Sequence, residues 1–393
     1  MKNVLFFTHY LNSGGAEKVV RVLSKYINSH DYGYKVYICV IFDDPSYHDE
    51  VDDVIVLPHR SQKGDSKLVR GINVLRQMKD LKKVKKEYNI DICVSFLPGS
   101  DFINVFSDIG EKRVLSVRAQ ESRFVHGWFR KKYIQTTHKR CDRLVSVTEV
   151  VKRDCIDFFG TPEGKITTIY NPVYCSRVDE TILPKVQEFI DDKRIITHVG
   201  RLSPEKGQQH ILRAFSYLID SEKYDDVRLL MIGDGQEKDS LQRLTIDLGI
   251  EKKVMFTGNV ANPYAYLEKS DAFILASYFE GMPNVLLEAM QCGVPCISSD
   301  CGAREILAPD TDVNVKTESV EEGQYGLLVP VCDKPDYSRV TVYEDEKLMA
   351  DAMKQLLTDE DLSARYKELY KNYVKAFEMG PIVQKWIDVL DSL

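Results

Sequence analysis

The stretch RIITHVGRLSPEKGQQHILRAFSYL, residues 194–218, reads as a strand over 194–199, a loop, and a helix over 208–218. The apolar run fits a strand buried on both faces of a parallel sheet, and the later apolar positions recur at helical spacing. The loop VGRLSPEKG (199–207) carries Arg201 and Lys206. Lying between strand and helix, it sits at the carboxyl edge of the sheet, where open α/β sheets bind ligands. Downstream the alternation continues, with strands at 227–232, 253–256, 272–276 and 295–298, and helices over 237–248, 263–269 and 283–292. Upstream it has already run once, with strands at 4–8, 34–42, 90–96, 113–117 and 143–147 and a helix over 67–87. Alternating strands and helices predict an α/β fold with parallel sheets. A series that stops and restarts predicts two domains, 1–175 and 194–375, joined by the polar connection 176–193. The segment 376–393 is an amphipathic helix interrupted by Gly380-Pro381 and expected to dock back on a domain.

A chain of 393 residues suits two or three domains. Its 44% hydrophobic and 29% charged residues exclude disorder, collagen and a disulfide scaffold. The net charge of -7 argues against a general nucleic-acid binder. No stretch approaches the roughly 20 apolar residues of a membrane span, and MKNVLFF is too short for a signal peptide. The nine cysteines contain no C-x-x-C pair, and the spacing of Cys292, Cys296 and Cys301 fits no common zinc site. Reduced thiols in a cytoplasmic protein are the expectation.

Three segments carry chemistry. NSGGAEK (12–18) follows the first strand. Gly14 and Gly15 let the backbone approach a ligand, and the following helix points its N–H groups and positive dipole end into the same space, which favours a phosphate. The segment matches neither G-x-G-x-x-G nor a P-loop, and a plain tight turn explains it equally. In VGRLSPEKG, Arg201 and Lys206 set a planar fork beside a mobile point charge, a pairing suited to a diphosphate; two solvated cations are the plainer alternative. In FEGMPNVLLEAMQCGVPCISSD (279–300), seven residues separate Glu280 from Glu288. Pro283 suits the first helical position. The turn Gly281-Met282 then presents the N–H groups of Asn284 and Val285 to an anion. Glu288 in the second turn is placed to accept hydrogen bonds from vicinal hydroxyls such as those of a ribose, and Glu280 to reach a second sugar. A two-carboxylate hydrolase needs its carboxylates facing across a bond; here a diphosphate seat lies between them.

On SGGAEK, VGRLSPEKG, LLMIGDGQEKDSL, FTGNVANPYAYLEKSDAFILASYFEGMPNVLLEAM and GLLVPV, in that order, the chain resembles the retaining glycosyltransferases of family 4 over nearly its whole length. The resemblance implies the GT-B fold, two Rossmann-like domains with parallel sheets facing across a cleft, the donor nucleotide bound mainly to the second domain and the acceptor to the first. It implies that Arg201 and Lys206 hold the diphosphate and Glu280 the transferred sugar, these three forming the catalytic set. Glu288 would bind the ribose. Gly281, Met282, Pro283, Asn284 and Val285 would form the anion seat, and Asn259 and Val260 would border the base. Gly14 and Gly15 would close on the diphosphate from the other domain. Many relatives carry a first-domain His after the strand ending near Val117; this chain has SVRAQESRF there, with Arg118 and Glu121. The first-domain catalytic group is therefore unassigned. SSDCGAREIL also lacks the longer Ser-Gly-Pro insert common in polysaccharide-forming relatives. The implied reaction is sugar transfer with retention from a nucleotide-sugar, UDP favoured over GDP, with the leaving diphosphate as base. No cofactor or metal is expected, since no D-x-D stands in a metal-binding context.

The net charge divides unevenly. Residues 1–175 hold 28 Lys+Arg against 21 Asp+Glu, a net of +7, and the remainder holds 25 against 39, a net of −14. The basic charge gathers in 60–86 and 112–143. RFVHGWFRKKY (123–133) mixes Arg123, Arg130, Lys131 and Lys132 with Phe124, Trp128 and Phe129, which suits an anionic membrane interface or a lipid-linked diphosphate. Arg118 joins this acceptor- and membrane-facing set. Lys79, Lys82, Lys83, Lys85 and Lys86 form a cationic ridge on the helix 67–86, for which a solvated face is the alternative. The expected protein is a cytoplasmic enzyme, peripheral at the cytoplasmic face of the inner membrane, that extends a lipid-linked glycan for surface polysaccharide, lipopolysaccharide or glycoprotein. Its partners would be a nucleotide-sugar, the lipid-linked acceptor and the anionic membrane surface, with no nucleic acid. The same features would serve a transferase acting on protein hydroxyls, or an isomerase resembling the GT-B UDP-N-acetylglucosamine 2-epimerases; a binding subunit without turnover is the non-enzyme alternative.

Overall fold

A computed structural model describes the chain apart from residues 12–13, 43–50, 52–53, 63, 174–181 and 333–335. Asn12 and Ser13 of the glycine segment and part of the 176–193 connection thus lie outside the described residues. The chain forms two compact units, Met1–Pro172 with Phe377–Leu393, and Val173–Ala376.

The strands are β1 Lys2–Tyr10, β2 Tyr34–Phe42, β3 Val54–Val56, β4 Ile92–Phe96, β5 Lys112–Val117, β6 Arg143–Ser146, β7 Ile166–Thr168, β8 Arg194–Val199, β9 Val227–Ile232, β10 Val254–Gly258, β11 Ala272–Leu275, β12 Cys296–Ser299, β13 Glu321–Gly323 and β14 Gly326–Val329. The helices are α1 Gly15–Asn28, α2 Lys67–Glu87, α3 Pro98–Phe106, α4 Trp128–Arg140, α5 Glu149–Asp157, α6 Pro184–Ile190, α7 Gln208–Glu222, α8 Lys238–Asp247, α9 Tyr264–Leu267, α10 Asn284–Gln291, α11 Arg304–Leu307, α12 Glu344–Thr358, α13 Glu360–Tyr373 and α14 Met379–Asp391.

In the amino-terminal unit the described strands pair in the order β3-β2-β1-β4-β5-β6-β7, all parallel. Successive side chains of β1 point to opposite faces, and helices cover both. Val4 and Phe6 pack with Val19, Val20 and Leu23 of α1 and Trp386 of α14; Leu5 and Phe7 pack with Leu81 of α2. Burial on both faces is why these strands read as unbroken apolar runs. The terminal segment returns to this unit. Ile382, Val383, Trp386, Ile387, Val389 and Leu390 are buried, and Tyr34 donates its hydroxyl to Asp391 Oδ1 at 2.5 Å. Gly380-Pro381 does not interrupt α14. Both residues lie in its first turn, where a proline costs no intrahelical hydrogen bond.

One reading of the helix 67–87 is corrected. Its apolar positions do not all face the core, since Leu68 is 75% and Leu75 60% exposed, while Asn73, Gln77 and Lys85 are buried. The buried amides explain the choice of face, since Gln77 Nε2 donates to the His59 carbonyl at 3.1 Å and ties the preceding loop to the helix. Lys85 does not belong to the cationic ridge. Its ammonium is fully buried and donates to Glu111 Oε1 at 2.5 Å and Asn104 Oδ1 at 2.8 Å.

In the carboxyl-terminal unit the order is β10-β9-β8-β11-β12-β14-β13. The sheet is not wholly parallel, because β13 pairs antiparallel with β14. Only two residues separate them, too few for the crossover a parallel pair requires.

Candidate active site

The loops following β8 and β11 meet at the carboxyl edge of the second sheet. Lys206 ends the short 3₁₀ turn Pro204–Lys206 after β8; Glu280 lies between β11 and α10. They are joined by an ion pair of 2.5 Å, Nζ to Oε1, with side chains 24% and 14% exposed. Ser277 Oγ donates to the same Glu280 oxygen at 2.7 Å. A half-buried pair of this kind is electrostatically stronger than a surface pair, and both groups arrive already oriented.

Backbone fit holds the two loops together. Tyr278 N–H donates to the Glu205 carbonyl at 2.9 Å, and Glu280 N–H to the Cys301 carbonyl at 2.7 Å. Gly207, at φ +63°, stands where a Cβ would lie 2.2 Å from the Ala276 carbonyl oxygen; at Gly302, φ +118°, a Cβ would lie 2.6 Å from the Glu280 carbonyl oxygen. Only glycine allows these approaches. Below the loop, buried Gln208 donates through Nε2 to the Arg201 carbonyl at 2.7 Å and towards His198 Nε2 at 3.2 Å. His198 Nδ1 is 3.0 Å from the Ile274 carbonyl. That acceptor requires Nδ1 to carry the proton, leaving Nε2 to accept, and burial keeps the ring neutral by drawing its pKa down to about 4.

Among the predicted donor residues, Lys206 and Glu280 come together. Arg201 shares their loop but is exposed and has no ion pair among the described residues. Pro283 caps α10 from outside, with ψ 86°, and the first helical residue is Asn284; the expectation of Pro283 at the first position shifts by one, because that ψ is not helical. Asn284 and Val285 still form the first turn, which Leu286 N–H closes on the Pro283 carbonyl at 3.0 Å. Glu288 follows in the second turn, half-buried, and Gly281 and Met282 lead into the cap. Asn259 is exposed and Val260 half-buried just beyond β10, whose last residue, Gly258, bridges to Gly233 of the GDG loop. Ser277 and Tyr278 were missed by sequence reasoning, although a hydroxyl three residues before Glu280 was a readable signal.

In the amino-terminal unit, Gly14 caps α1 and Gly15 is its first residue. Arg118 stands apart from the set it was grouped with. It is half-buried at the end of β5, donates to Asn171 Oδ1 and lies 3.4 Å from Ser116 Oγ; burial pulls its pKa down to about 10. Arg123, Trp128, Arg130 and Lys132 are exposed, and Lys131 lies 4.0 Å over the Phe158 ring. Among the described residues, no group of three His, Cys, Asp or Glu side chains could hold a metal ion, and no helix is long and apolar enough to cross a membrane.

Residues 13–177 match the family described as Glycosyltransferase Family 4, and residues 179–373 match Glycosyl transferases group 1. The chain is 26% identical over 395 residues, 98% of each chain, to the N-acetylgalactosamine-N,N'-diacetylbacillosaminyl-diphospho-undecaprenol 4-alpha-N-acetylgalactosaminyltransferase of Campylobacter jejuni. It is 36% identical to the lipopolysaccharide 1,6-galactosyltransferase of Salmonella typhimurium, over 43% of this chain and 46% of that one. The fold matches that of Anabaena Alr3699/HepE in complex with UDP, with a TM-score of 0.77, 17% identity and full coverage of both chains. With one family matching each unit, and with a mainly parallel, Rossmann-like sheet in each unit as in GT-B folds, the chain belongs to the glycosyltransferases of the family 4 type.

Proposed function

We propose that the enzyme transfers a sugar, with retention, from a UDP-sugar to a lipid-linked glycan at the cytoplasmic face of an anionic membrane. The Lys206–Glu280 pair carries this reading. It supports the reading because an ammonium suited to a leaving diphosphate stands beside a carboxylate suited to sugar hydroxyls, at the edge of the sheet and shortly before α10. Arg201 adds a second cation, and Glu288 holds the ribose. Charge building on the diphosphate as the glycosidic bond breaks is met by these groups, the kind of electrostatic stabilisation that is usually the largest catalytic contribution. The departing phosphate oxygen takes the proton of the incoming hydroxyl. The residues named suffice for the charge, so the reading requires no metal.

The acceptor belongs to the amino-terminal unit. Phe129 is 83% and Trp128 67% exposed, on a helix whose exposed face also carries Arg130 and Lys132. Leu68 and Leu75 on α2 add apolar surface beside Arg70 and Arg76. Exposed apolar groups among cations suit an anionic bilayer surface. The lipid-linked and lipopolysaccharide substrates in the names of the relatives accord with this.

A screen of UDP- and GDP-sugars tests the reading. Slow donor hydrolysis identifies the donor without knowledge of the acceptor, and NMR of the transfer product reports the anomeric configuration. Hydrolysis of GDP-sugars alone, or an inverted product, would refute it. EDTA treatment is expected to leave transfer unchanged.

A further inference from the structure

His9, the penultimate residue of β1, reaches the carboxyl edge of the amino-terminal sheet. Its ring is held from two positions. Nδ1 lies 2.7 Å from Ser100 Oγ. Gly99 packs so closely that a Cβ there would come within 2.6 Å of the ring's Cε1. Both partners lie in the first turn of α3, whose cap residue Leu97 adopts φ +77° and ψ 146°. That conformation is close to glycine-only territory and costs ~1–3 kcal/mol. The chain tolerates this strain at the turn that sets Gly99 and Ser100 against the imidazole.

The ring proton can be placed. Ser100 is fully buried, and among the described residues its hydroxyl has no acceptor other than Nδ1. The hydroxyl therefore donates to Nδ1; the opposite tautomer would leave a buried donor unpaired, at about 1–3 kcal/mol. Nε2 accordingly carries the N–H. It has no hydrogen-bond partner among the described residues and is not one of the buried unpartnered polar atoms, and on one side it is flanked by Gly99, where a Cβ would lie 2.8 Å away. Burial keeps the ring neutral, with its pKa drawn down to about 4.

An immobilised neutral N–H at a ligand-binding sheet edge suits an uncharged oxygen, whereas a phosphate is better met by a cation. We infer that His9 is an acceptor-specificity residue, donating from Nε2 to a hydroxyl or ring oxygen of the acceptor's terminal sugar and so selecting which hydroxyl is presented for transfer. The inference rests on the proposed acceptor role of the amino-terminal unit.

The test uses the full-length enzyme, UDP-N-acetylgalactosamine, and two acceptors: N-acetylgalactosamine-N,N'-diacetylbacillosaminyl-diphospho-undecaprenol and the same disaccharide free of lipid and diphosphate. His9→Phe preserves a ring against Gly99 and removes the donor. It is expected to raise the acceptor KM at least tenfold while the donor KM moves less than twofold. His9→Gln restores an N–H donor and should recover the acceptor KM to within about threefold of wild type. Ser100→Ala, which releases the tautomer, should fall between them. Loss on the free disaccharide supports the His9 contact even where the lipid-linked reading fails. A His9→Phe enzyme with wild-type acceptor KM on both acceptors overturns it, as does a parallel rise in donor and acceptor KM.

Discussion

Glu280 and Lys206 neutralise each other before any donor arrives, which gives their single substitutions different signatures. On the proposed reading, Lys206→Ala removes the cation for the diphosphate and leaves Glu280 to repel it, so UDP affinity should fall at least tenfold. Glu280→Ala frees Lys206, so UDP binding should persist or tighten while transfer falls about 10²–10³-fold, the range seen when a preorganised polar contact to a transition state is lost. Titration calorimetry with UDP beside a transfer assay separates the two; equal loss of UDP binding in both variants would contradict the assignment. Glu121, after β5, is a different kind of residue. It is 5% exposed, its Oε2 has no hydrogen-bond partner among the described residues, and His138 Nε2 is 3.7 Å away. Burial, reinforced by Asp154, raises its pKa to about 8. A carboxyl raised in the folded state from about 4.5 to 8 binds more protons there than in the unfolded chain. Its stabilising contribution is therefore complete below pH 4.5 and is lost as the pH rises to 8, by up to about 1.4 kcal/mol per pH unit. Glu121→Gln removes this loss, so its Tm should exceed that of wild type at pH 8 and approach it at pH 5. A Tm difference independent of pH would sink this account.

At the scale of elements, one buried charge helps to anchor α2. Lys85 joins the helix to α3 through Asn104 and to the start of β5 through Glu111. Lys85→Ala strands a buried carboxylate and should cost about 3–5 kcal/mol, whereas replacing both partners with apolar residues of similar volume should cost far less. Urea denaturation of the single and double variants distinguishes the cases; equal losses would mean that the pair is not the anchor. The solvent face of the same helix predicts the opposite pattern. Leu68→Glu with Leu75→Glu should leave stability within about 0.5 kcal/mol and reduce flotation with anionic vesicles, and unchanged flotation would count against membrane docking by α2. These two faces mark where the sequence was legible. The strands could be read because a parallel sheet buries both faces, so burial and hydrophobicity coincide residue by residue. The Glu280–Glu288 segment could be read because its loop, cap and helix are contiguous. On α2, periodicity indicates a face but not what covers it. Covering that face needs distant partners such as His59 and Glu111, and Lys85 looks like any surface lysine until Glu111 is placed beside it. The His9–Ser100 pair was hidden for the same reason, with 91 residues between its members.

At the scale of the molecule, the chain path divides the two units unequally. Val173–Ala376 is continuous and contains Arg201, Lys206, Glu280 and Glu288, while the other unit is completed only by Phe377–Leu393. Those last residues bring Trp386, 1% exposed, to within 6.3 Å of the Phe96 ring and bury a row of aliphatic side chains beside it. Burying one large apolar side chain contributes about 1.5–3 kcal/mol, and α14 supplies several, which together rival the whole stability of an ordinary domain. Deletion of 377–393 should therefore unfold the amino-terminal unit and abolish transfer. The carboxyl-terminal unit keeps its sheet, its glycine contacts and its ion pair, so residues 173–376 expressed alone should bind UDP within about tenfold of the full chain. Calorimetry should then show one unfolding transition that UDP raises, because a ligand bound only to the folded state stabilises it. A deletion variant with an intact amino-terminal transition, or an isolated carboxyl-terminal unit indifferent to UDP, would show that this division of labour is wrong.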